Sequence, residues 1–283
     1  MLSVVIPARN AERWLGDQLE ALAGQEVDGD WEVVLADNGS SDGTVDLFNR
    51  FASQLPSIRV VDASEMKGQA FARNVGVAKT TGDLLVFLDA DDVVAPGYLA
   101  AMAAALARCD LATARLDYEI LNPAWLRAAQ RPAGEEIAVH LGFLPAGAGG
   151  SLAARRDVFE RLGGFDVDMP PGEDLDFCWR AQLEGVELCF APDAVLWYRQ
   201  RQTPAELFRQ GRGYGRVHPA LYKRYRSQGM PRRHGLTILR FWGGLLTRAV
   251  KARSRSDIAL LAWLAGLRVG LVQGMIQNRI WYL

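Results

Sequence analysis

The chain contains few cysteines, three among 283 residues. They lie far apart, are odd in number, and match neither a zinc-binding nor a redox-active spacing. Unpaired cysteines are typical of reducing compartments, so we expect a cytoplasmic location. The three cysteines are Cys109, Cys178 and Cys189.

Histidines are equally few, and we predict that each is structural because all three are isolated: His140, His218 and His234. The sequence also lacks a secretory signal peptide, an internal repeat and a low-complexity linker. Its first residues, Leu2–Ile6, have the pattern of a strand. The apolar stretches Ile258–Leu267 and Val269–Ile276 are separated by Arg268, and neither alone reaches the ~18–20 residues that span a bilayer. We therefore expect neither stretch to cross a membrane.

The net charge of −1 hides a sharp division along the chain. Residues 199–283 contain 17 Lys and Arg and two acids, a net of +15, whereas residues 1–198 contain 15 Lys and Arg and 31 acids, a net of −16. This asymmetry predicts a change of role near residue 199. The length suits one large domain with an extension, so we predict a main domain at 1–199 and a basic, amphipathic helical region at 200–283.

Strand and helix patterns alternate along the first part of the chain. Apolar runs predict strands at 2–7, 31–37, 58–62 and 84–89. Helical spacing of apolar residues predicts helices at 11–24, 44–55 and 68–79. This order predicts an α/β fold with a mostly parallel sheet flanked by helices. Residues 111–198 are more irregular, with two predicted helices and two short strands near 155–162, 175–184, 187–191 and 195–199.

Three carboxylates, Asp89, Asp91 and Asp92, follow the apolar run Leu84–Leu88. Such a run predicts a buried parallel strand, and ligands of α/β sheets bind outside the carboxyl ends of the strands. Crowded carboxylates raise one another's pKa and are costly unless a cation neutralises them. Because carboxylate oxygens suit Mg²⁺ or Mn²⁺, the cluster indicates a metal–diphosphate site. A solvated turn is the alternative.

Other predicted strand ends and helix starts carry polar residues as well. Asp37 and Asn38 end the second strand, where their side chains can hydrogen-bond the edge of a nucleobase. Lys67-Gly68 and Arg73 open the helix before the acids, and a helix N-terminus with added cations suits a diphosphate. For Arg73, a surface charge on the helix is the alternative.

Five motifs follow one another along residues 2–199. They are Val4-Val5-Ile6-Pro7-Ala8-Arg9-Asn10, Asp37-Asn38-Gly39-Ser40-Ser41-Asp42-Gly43-Thr44, Ala72-Arg73-Asn74-Val75-Gly76, Gly82-Asp83 with Phe87-Leu88-Asp89-Ala90-Asp91-Asp92, and Leu162-Gly163-Gly164-Phe165-Asp166 with Gly172-Glu173-Asp174-Leu175-Asp176-Phe177. Each motif alone is weak. In this order they resemble the family 2 glycosyltransferases with the GT-A fold.

This resemblance implies transfer of a sugar, with inversion, from a UDP-, GDP- or dTDP-sugar to a glycan, lipid-linked or natural-product hydroxyl. It implies that Asp91 binds Mn²⁺ or Mg²⁺ and that Asp89 binds the metal or the donor ribose. It also implies a nucleotide-sugar-binding half at 1–110 and an acceptor half at 111–199. The remaining residues implied on the donor side are Asp37 and Asn38 at the base, Arg73 at the diphosphate, and Pro7, Ala8, Arg9, Lys67, Gly68 and Ala90.

An inverting transfer is a single in-line displacement, and it needs a carboxylate that takes the proton of the acceptor hydroxyl. By its position in the family's Glu-Asp motif, Asp174 is the predicted base, and Glu173 is predicted to orient the acceptor. We expect the dipole at the helix N-terminus to lower the pKa of Asp174 and keep it ionised. As an alternative, Glu173, Asp174 and Asp176 are first-turn acids that only stabilise the helix.

The sequence departs from the family at one position. Many relatives place a metal-binding histidine after the last core strand, but that predicted strand ends Leu196-Trp197-Tyr198-Arg199. The third metal ligand is therefore open, with Tyr198 or a water as candidates.

Two other classes of protein remain open. A sugar-nucleotide nucleotidyltransferase would need a glycine-rich phosphate loop after the first strand, but Pro7–Asn10 is followed directly by a predicted helix. A non-catalytic carbohydrate- or lipid-binding relative would not need the intact acids Asp89, Asp91 and Asp174.

Two glycine-rich stretches match no nucleotide-binding motif. Gly211-Arg212-Gly213-Tyr214-Gly215 follows a predicted helix instead of a strand, which excludes a dinucleotide fingerprint. Gly147–Gly150 is predicted to form a loop on the acceptor side.

Basic residues alternate with apolar stretches such as Phe241–Leu246 in the last part of the chain. A basic amphipathic region with tryptophans suits the surface of an anionic membrane, so we expect peripheral contact with the inner face of the cell membrane. Packing on the main domain or on a second subunit, as in a homodimer, is the alternative. We expect no binding of nucleic acid, because no recognition motif is present.

Overall fold

The structure is a computed structural model that describes residues 1–127, 136–169, 171–232 and 235–282, without the side chains of residues 235–241. These residues divide into two compact units. The first unit comprises residues 1–120, 136–138 and 145–199, and the second comprises residues 121–127, 139–144 and 200–282.

The described strands, in chain order, are β1 (Leu2–Ala8), β2 (Trp31–Asp37), β3 (Ile58–Asp62), β4 (Leu84–Phe87), β5 (Val93–Val94), β6 (Leu111–Asp117), β7 (Val139–His140), β8 (Leu144–Pro145), β9 (Leu152–Arg155) and β10 (Leu188–Trp197). The helices of the first unit are α1 (Glu12–Ala23), α2 (Thr44–Asn49), α3 (Gln69–Val77), α4 (Tyr98–Leu106), α6 (Arg156–Arg161) and α7 (Glu173–Leu183). Those of the second unit are α5 (Ala124–Arg127), α8 (Pro204–Tyr225), α9 (Gly235–Lys251) and α10 (Arg255–Asn278). Short 3-10 helices occupy Gly149–Ser151 and Arg226–Gln228.

Eight strands form one sheet in the order β3-β2-β1-β4-β9-β6-β10-β5. Strands β1 to β4 are parallel to one another, and β6 is parallel to β10. Strand β9 runs antiparallel between β4 and β6, and β5 runs antiparallel to β10. The predicted α/β fold with a mostly parallel sheet and a basic helical C-terminal extension is therefore confirmed.

The central strands are buried on both faces, which explains their unbroken apolar runs. Val4 and Ile6 of β1 belong to a core with Leu15 and Leu19 of α1 and with residues of α4. On the opposite face, Phe87 of β4 packs against phenylalanines at and around α6 and α7. Successive side chains of a strand point to opposite faces of the sheet, so alternate residues pack against the helices on either side.

Several predicted boundaries are wrong. Helix α2 ends at Asn49 instead of residue 55, and the predicted strands 187–191 and 195–199 are one strand, β10. The pairing of β10 with β6 shifts its register between Ala191 and Val195, around Pro192. Proline cannot donate a hydrogen bond to a neighbouring strand, so the sequence around Pro192 indicated a loop between two strands. Helix α4 was not predicted, because the apolar and alanine-rich run 98–106 has almost no polar face.

Cys109 and Cys189 are paired, with Cα atoms 6.4 Å apart, within the range of a disulfide. The prediction of unpaired cysteines is wrong for these two residues, whereas the expected cytoplasmic location stays a prediction. Their separation of 80 positions concealed the pair, which neighbouring strands β6 and β10 bring together. Cys178 is free and buried.

In the second unit, α8 and α10 approach each other through glycines. A Cβ atom at Gly215 would collide with the carbonyl oxygen of Leu267, and one at Gly270 would collide with that of Arg212. Small residues permit this close backbone approach. The Gly211–Gly215 stretch, for which the sequence suggested no role, is therefore a helix-packing surface within α8.

Helix α10 contains both apolar stretches that we predicted to be separate and too short to span a membrane. It has 24 residues and a mean hydropathy of 1.6 over its most apolar window, so by length and composition it is able to cross a bilayer. Arg268 interrupts the apolar residues without ending the helix, and it is itself buried. Since 44% of that window is buried within the protein, a packed helix passes the same test.

Candidate active site

The acid loop, Asp89–Asp92, connects β4 to β5 at the carboxyl end of the sheet. Oxygens of Asp89, Asp91 and Asp92 lie within 4.8 Å of one another, so the structure brings together the carboxylates that the sequence placed at a strand end. Asp92 is buried, and its Oδ1 accepts a hydrogen bond from the backbone N–H of Arg199 at 2.7 Å. Among the described residues, no histidine joins this group.

Arg73 of α3 links the acid loop to the start of α7. Its Nη2 lies 2.6 Å from Asp89 Oδ1, its Nη1 lies 3.1 Å from Glu173 Oε1, and its side chain is 2% exposed. Burial alone would lower the pKa of Arg73, but the charges of Asp89 and Glu173 raise it, so the guanidinium stays charged. A surface charge on a helix, our alternative for Arg73, is therefore wrong. Its predicted place at the diphosphate stays a prediction.

Asp174 lies beside Glu173 at the start of α7. Its Oδ2 accepts a hydrogen bond from the N–H of Gly149 at 3.1 Å, and its Oδ1 accepts one from the N–H of Leu175 at 2.8 Å. Burial, followed by the charge of Glu173, raises the pKa of Asp174 to about 6. Our expectation of a lowered pKa is wrong, because these N–H groups and Arg73 offset only part of the cost of desolvating the charge.

The third acid of this helix has a different partner. Asp176 is fully buried, and its Oδ2 accepts a hydrogen bond from Arg180 Nε at 2.7 Å, one turn further along α7. Asp176 thus stabilises its own helix, as the alternative for all three acids proposed. Glu173 and Asp174 also bond outside α7, Glu173 to Arg73 and Asp174 to Gly149.

Glycines 149 and 150 are site residues that the sequence did not reveal. A Cβ atom at Gly149 would lie 2.7 Å from Arg73 Nη1, and one at Gly150 would lie 2.7 Å from Asp89 Cγ. Any larger residue here would displace the ion pairs. The glycine-rich composition was a signal, but nothing local connected it to acids 60 positions earlier.

Aromatic rings pack against Arg73, which links the acid loop to α7. Phe165 packs edge-on against Phe87 with centroids 5.0 Å apart, and the Arg73 guanidinium lies 5.4 Å from the Phe165 centroid. The side chain of Asn74 donates to the Phe165 carbonyl at 2.8 Å and accepts from its N–H at 3.0 Å. The motif around Phe165 therefore anchors the chain beneath Arg73.

Asn38, a predicted base-binding residue, is buried and holds a neighbouring loop. Its amide nitrogen donates to the carbonyls of Ala63 and Met66, and its Oδ1 accepts from the N–H of Gly68 at 2.9 Å. Asp37 accepts from the N–H of Ser40 at 3.2 Å. Contact of Asp37 and Asn38 with a base stays a prediction, and the structure adds a positioning role for Asn38.

The other predicted donor residues lie at the end of β1, in the acid loop after β4, and in the segment directly before α3. Pro7, Ala8 and Ala90 are buried, whereas Arg9 and Lys67 are exposed. Their contacts with a donor remain predictions.

Tyr198, a candidate third metal ligand, packs its ring edge-on against Tyr118, with centroids 5.4 Å apart. Burial and the charge of Asp92 raise the pKa of Tyr118 to about 12, and the residue after Tyr198, Arg199, donates its backbone N–H to Asp92. A role for Tyr198 as a ligand stays a prediction. His234 and the neighbouring Arg233 lie outside the described residues.

The segment after β1 gives no support to a nucleotidyltransferase. Strand β1 ends at Ala8 and α1 begins at Glu12, so residues 9–11 alone connect them. No glycine lies among these three residues, and a glycine-rich phosphate loop is absent there.

Sequence comparison identifies the family. The profile of Glycosyl transferase family 2 matches residues 3–163, and that of Glycosyl transferase family group 2 matches residues 84–276. The chain is 39% identical over 98 residues to the Bacillus subtilis glycosyltransferase YfnE, covering 35% of this chain and 25% of that protein. It is 28% identical over 217 residues to the pre-mycofactocin glycosyltransferase of Mycobacterium tuberculosis, covering 71% of this chain and 43% of that protein. It thus spans less than half of each of these relatives.

Glycosyltransferase AglE of Haloferax volcanii is 26% identical over 219 residues, covering 75% of this chain and 72% of that protein. Solved structures with a similar fold include the mannosyltransferase PcManGT from Pyrobaculum calidifontis in complex with GDP-Man and Mn²⁺, with a TM-score of 0.67 and 21% identity over 96% of this chain and 86% of that one. S. aureus TarS 1–349 in complex with UDP-GlcNAc has a TM-score of 0.57 and 17% identity over 100% of this chain and 93% of that one. Together, the family profiles and the mixed sheet show that the chain belongs to Glycosyl transferase family 2 and has the GT-A fold.

Proposed function

We propose that the protein is a metal-dependent, inverting glycosyltransferase that moves a sugar from a nucleoside-diphosphate donor to an acceptor hydroxyl. One observation carries the proposal. The buried Arg73 joins Asp89 of the acid loop to Glu173, the neighbour of Asp174, so the metal acids and the candidate base belong to one network. Residues 1–199 would then form the catalytic domain, with the donor side at 1–110 and the acceptor side at 111–199.

Asp91 and Asp89 would hold Mn²⁺ or Mg²⁺. The donor set fits such an ion, because carboxylate oxygens are hard ligands and the acid loop collects three of them within 4.8 Å. When bound, the ion would supply positive charge to the leaving diphosphate. The solved structure of a fold neighbour with GDP-Man and Mn²⁺ supports a divalent ion, and GDP-, UDP- or dTDP-sugars are the proposed donors.

Asp174 would act as the general base. It would accept the proton of the acceptor hydroxyl while that oxygen attacks the anomeric carbon and the bond to the diphosphate breaks on the opposite side, which inverts the configuration. A pKa of about 6 leaves Asp174 ionised at neutral pH and still basic enough to accept a proton. Glu173, held by Arg73, would orient the acceptor.

Calorimetric titration of nucleoside diphosphates with and without Mn²⁺ tests the metal site. Asp91→Asn keeps the shape of the side chain but removes the charge that holds the ion, so it should weaken Mn²⁺-dependent nucleotide binding and abolish transfer. Asp157→Asn is the control, because this acid is 72% exposed on α6 and the variant loses the same charge. Equal nucleotide affinity and turnover in wild type and Asp91→Asn would disprove the assignment.

Product analysis tests the reaction itself. With a panel of nucleotide sugars, a glycosyltransferase releases a nucleoside diphosphate, whereas a nucleotidyltransferase exchanges pyrophosphate. NMR of the product should show the anomeric configuration opposite to that of the donor. Retention of configuration would exclude a single displacement with Asp174 as base.

We also propose that the second unit contacts an anionic membrane and that the enzyme works at the inner face of the cell membrane on a lipid-linked acceptor. Helix α9 exposes Trp242, Leu246 and Val250 at four-residue spacing, and Leu246 is 70% exposed. Exposed basic residues lie among and after them: Arg248, Lys251, Arg253 and Arg255. A helix with exposed apolar side chains and adjacent cations is typical of interfacial binding, and each cation near an anionic surface contributes about 1 kcal/mol.

The surroundings of α10 favour peripheral contact over a membrane span. Helix α8 packs along the glycine face of α10 and carries exposed basic residues. A bilayer around α10 would bring these charges into hydrocarbon, which is costly. They are Arg209, Arg212, Arg216, Lys223 and Arg224. The other side of α10 exposes Val269, Val272 and Ile276, which suits an interface.

Co-sedimentation with vesicles tests this surface. Wild-type protein should bind anionic vesicles at low salt, bind less at high salt, and ignore neutral vesicles. Leu246→Glu with Val250→Glu should reduce binding, whereas Met66→Glu, an exposed apolar residue of the first unit, should not. Salt-resistant binding would indicate a span. No binding at low salt, with a dimer in sedimentation, would assign the surface to a homodimer.

A further inference from the structure

We propose that Arg199 is a positioning residue that orders the acid loop to receive its metal ion, an inference that rests on the metal site of the proposed function. Arg199 follows the last strand of the sheet by two residues. Its backbone and its side chain both bond to the acid loop, and its guanidinium is held in turn by α1.

The path of the chain brings Arg199 to the acid loop. Strand β5 begins directly after Asp92 and pairs with the end of β10, with Val93 opposite Trp197. Beyond this pair, the N–H of Arg199 donates to Asp92 Oδ1 at 2.7 Å. The segment after β10 is therefore bonded to Asp92, the last residue of the acid loop.

The guanidinium of Arg199 bonds on two sides. Its Nε donates to the backbone carbonyl of Asp91 at 2.8 Å, and its Nη2 lies 2.7 Å from Asp17 Oδ2. Its Cζ lies 4.3 Å from the ring centroid of Trp14, and the side chain is 10% exposed. Asp17 and Trp14 are three residues apart on α1, so one face of this helix holds the guanidinium against Asp91.

Gln18 on the same helix bonds to the first residue of the acid loop and to β5 beyond the loop. Its Nε2 donates to the carbonyl of Asp89 at 3.3 Å, and its Oε1 accepts from the N–H of Val94 at 3.0 Å. Arg199 holds the middle of the loop, at Asp91. The backbone of the acid loop is thus bonded to protein side chains at two points, Asp89 and Asp91, and a third bond holds Val94 just beyond it.

This arrangement addresses the repulsion among the three carboxylates. Like charges within 4.8 Å drive one another apart, and a loop that spreads must be reordered each time an ion binds. Bonds to the backbone keep the loop ordered before the ion arrives, and pre-organised ligands bind more tightly. Residues that orient metal ligands change affinity or activity by about 10–100-fold when replaced.

Mn²⁺ binding to the full chain, followed by the electron paramagnetic resonance of free Mn²⁺ at saturating nucleoside diphosphate, tests the role. Arg199→Ala should raise the dissociation constant for Mn²⁺ about 10–100-fold. Arg199→Lys should lose most of the affinity as well, because an ammonium lacks the planar fork that donates in two directions and stacks on a ring. Arg13→Ala is the matched control, since Arg13 stacks on the same Trp14 ring at 4.2 Å.

Thermal unfolding in EDTA separates positioning from stability. A role in folding alone would lower the melting temperature of Arg199→Ala and leave its Mn²⁺ affinity unchanged, and that result overturns the proposal. Equal loss of affinity in Arg13→Ala overturns it too, because general electrostatics would then suffice. If Arg199→Ala does not fold, Arg199→Lys decides. Absence of Mn²⁺ binding in the wild type overturns the metal site itself, whereas equal binding in wild type and Arg199→Lys overturns this inference alone.

Discussion

In the first unit, the buried Arg73 pairs its charge with Asp89 of the acid loop and with Glu173, whereas in the second unit α8 and α10 meet through glycines and keep most basic side chains exposed. Both interiors are close-packed, but a substitution destabilises them in different ways. Removing a partner in the first unit strands a buried charge, which costs about 3–5 kcal/mol. Adding a methyl group in the second unit forces two backbones apart.

The difference teaches where chemistry is to be sought in this chain. Burying a charged side chain is unfavourable unless it is paired and hydrogen-bonded, so a buried ionic network persists where it serves the arrangement of a site. Glycine contacts impose no such cost and need no function beyond packing. The two glycine-rich stretches show both cases, because Gly149 abuts an ion pair and Gly215 abuts the backbone carbonyl of Leu267.

The largest effect should come from replacing the candidate base. Asp174→Asn removes the proton acceptor but keeps the size and planar shape of the side chain, so transfer should fall by about 10²–10⁴-fold with donor affinity nearly unchanged. The rate of the wild type should also fall below a pH of about 6, where Asp174 becomes protonated. Single-turnover rates and donor titrations measure both. Lost donor affinity with a preserved chemical rate would make Asp174 a binding residue.

The same substitution should stabilise the protein without metal. Burial raises the pKa of Asp174 from 3.8 to about 6, so the folded state holds this proton more tightly than the unfolded state. The resulting stability is present below pH 4 and is lost as the pH rises through 6. Asp174→Asn escapes that loss, which amounts to at most about 3 kcal/mol at 1.36 kcal/mol per pKa unit.

Melting temperatures in EDTA from pH 4 to pH 8 test this linkage. The advantage of Asp174→Asn over the wild type should grow between pH 4 and pH 7 and then level off. Two parallel curves would show that Asp174 has an ordinary pKa in the folded protein. In that case the burial of ionised Asp174 would cost no stability, and this difference between the first unit and the second would disappear.

A smaller effect is expected from a single methyl group in the second unit. Gly270→Ala places a Cβ against the carbonyl of Arg212, and overpacking of this kind costs about 1–3 kcal/mol. Gly243→Ala is the matched control on α9, because its Cβ meets no atom within 4 Å and alanine favours a helix by about 0.5–1 kcal/mol. Thermal unfolding measures both variants.

Nucleotide affinity of these glycine variants tests whether the donor site belongs to the first unit alone. Gly270→Ala should bind nucleotide as the wild type does, since the acid loop and Asp174 belong to the first unit. A loss of nucleotide affinity in Gly270→Ala, but not in Gly243→Ala, would show that the two units share the donor site.

Local patterns predicted much of the framework. The strands in residues 1–110 and the helix before the acid loop lie close to their predicted positions. Buried positions recur at a regular spacing along a strand or helix, and they produce a periodic pattern of apolar residues in the sequence. The acids themselves were predictable, since a strand end in an α/β sheet is a known ligand position. Strand β10 was predicted as two pieces, because Pro192 interrupts the pattern without ending the strand.

The sequence by itself determined the alternation of strands and helices, the position of Asp89, Asp91 and Asp92 after a buried strand, and the division of charge near residue 199. These properties depend on neighbours a few positions apart. Only the tertiary structure decided that Arg73 would pair with residues 16 and 100 positions away, that Gly149 would lie against it, and that burial would raise the pKa of Asp174. Ion pairing, steric contact and desolvation depend on distance in space, which no local pattern specifies.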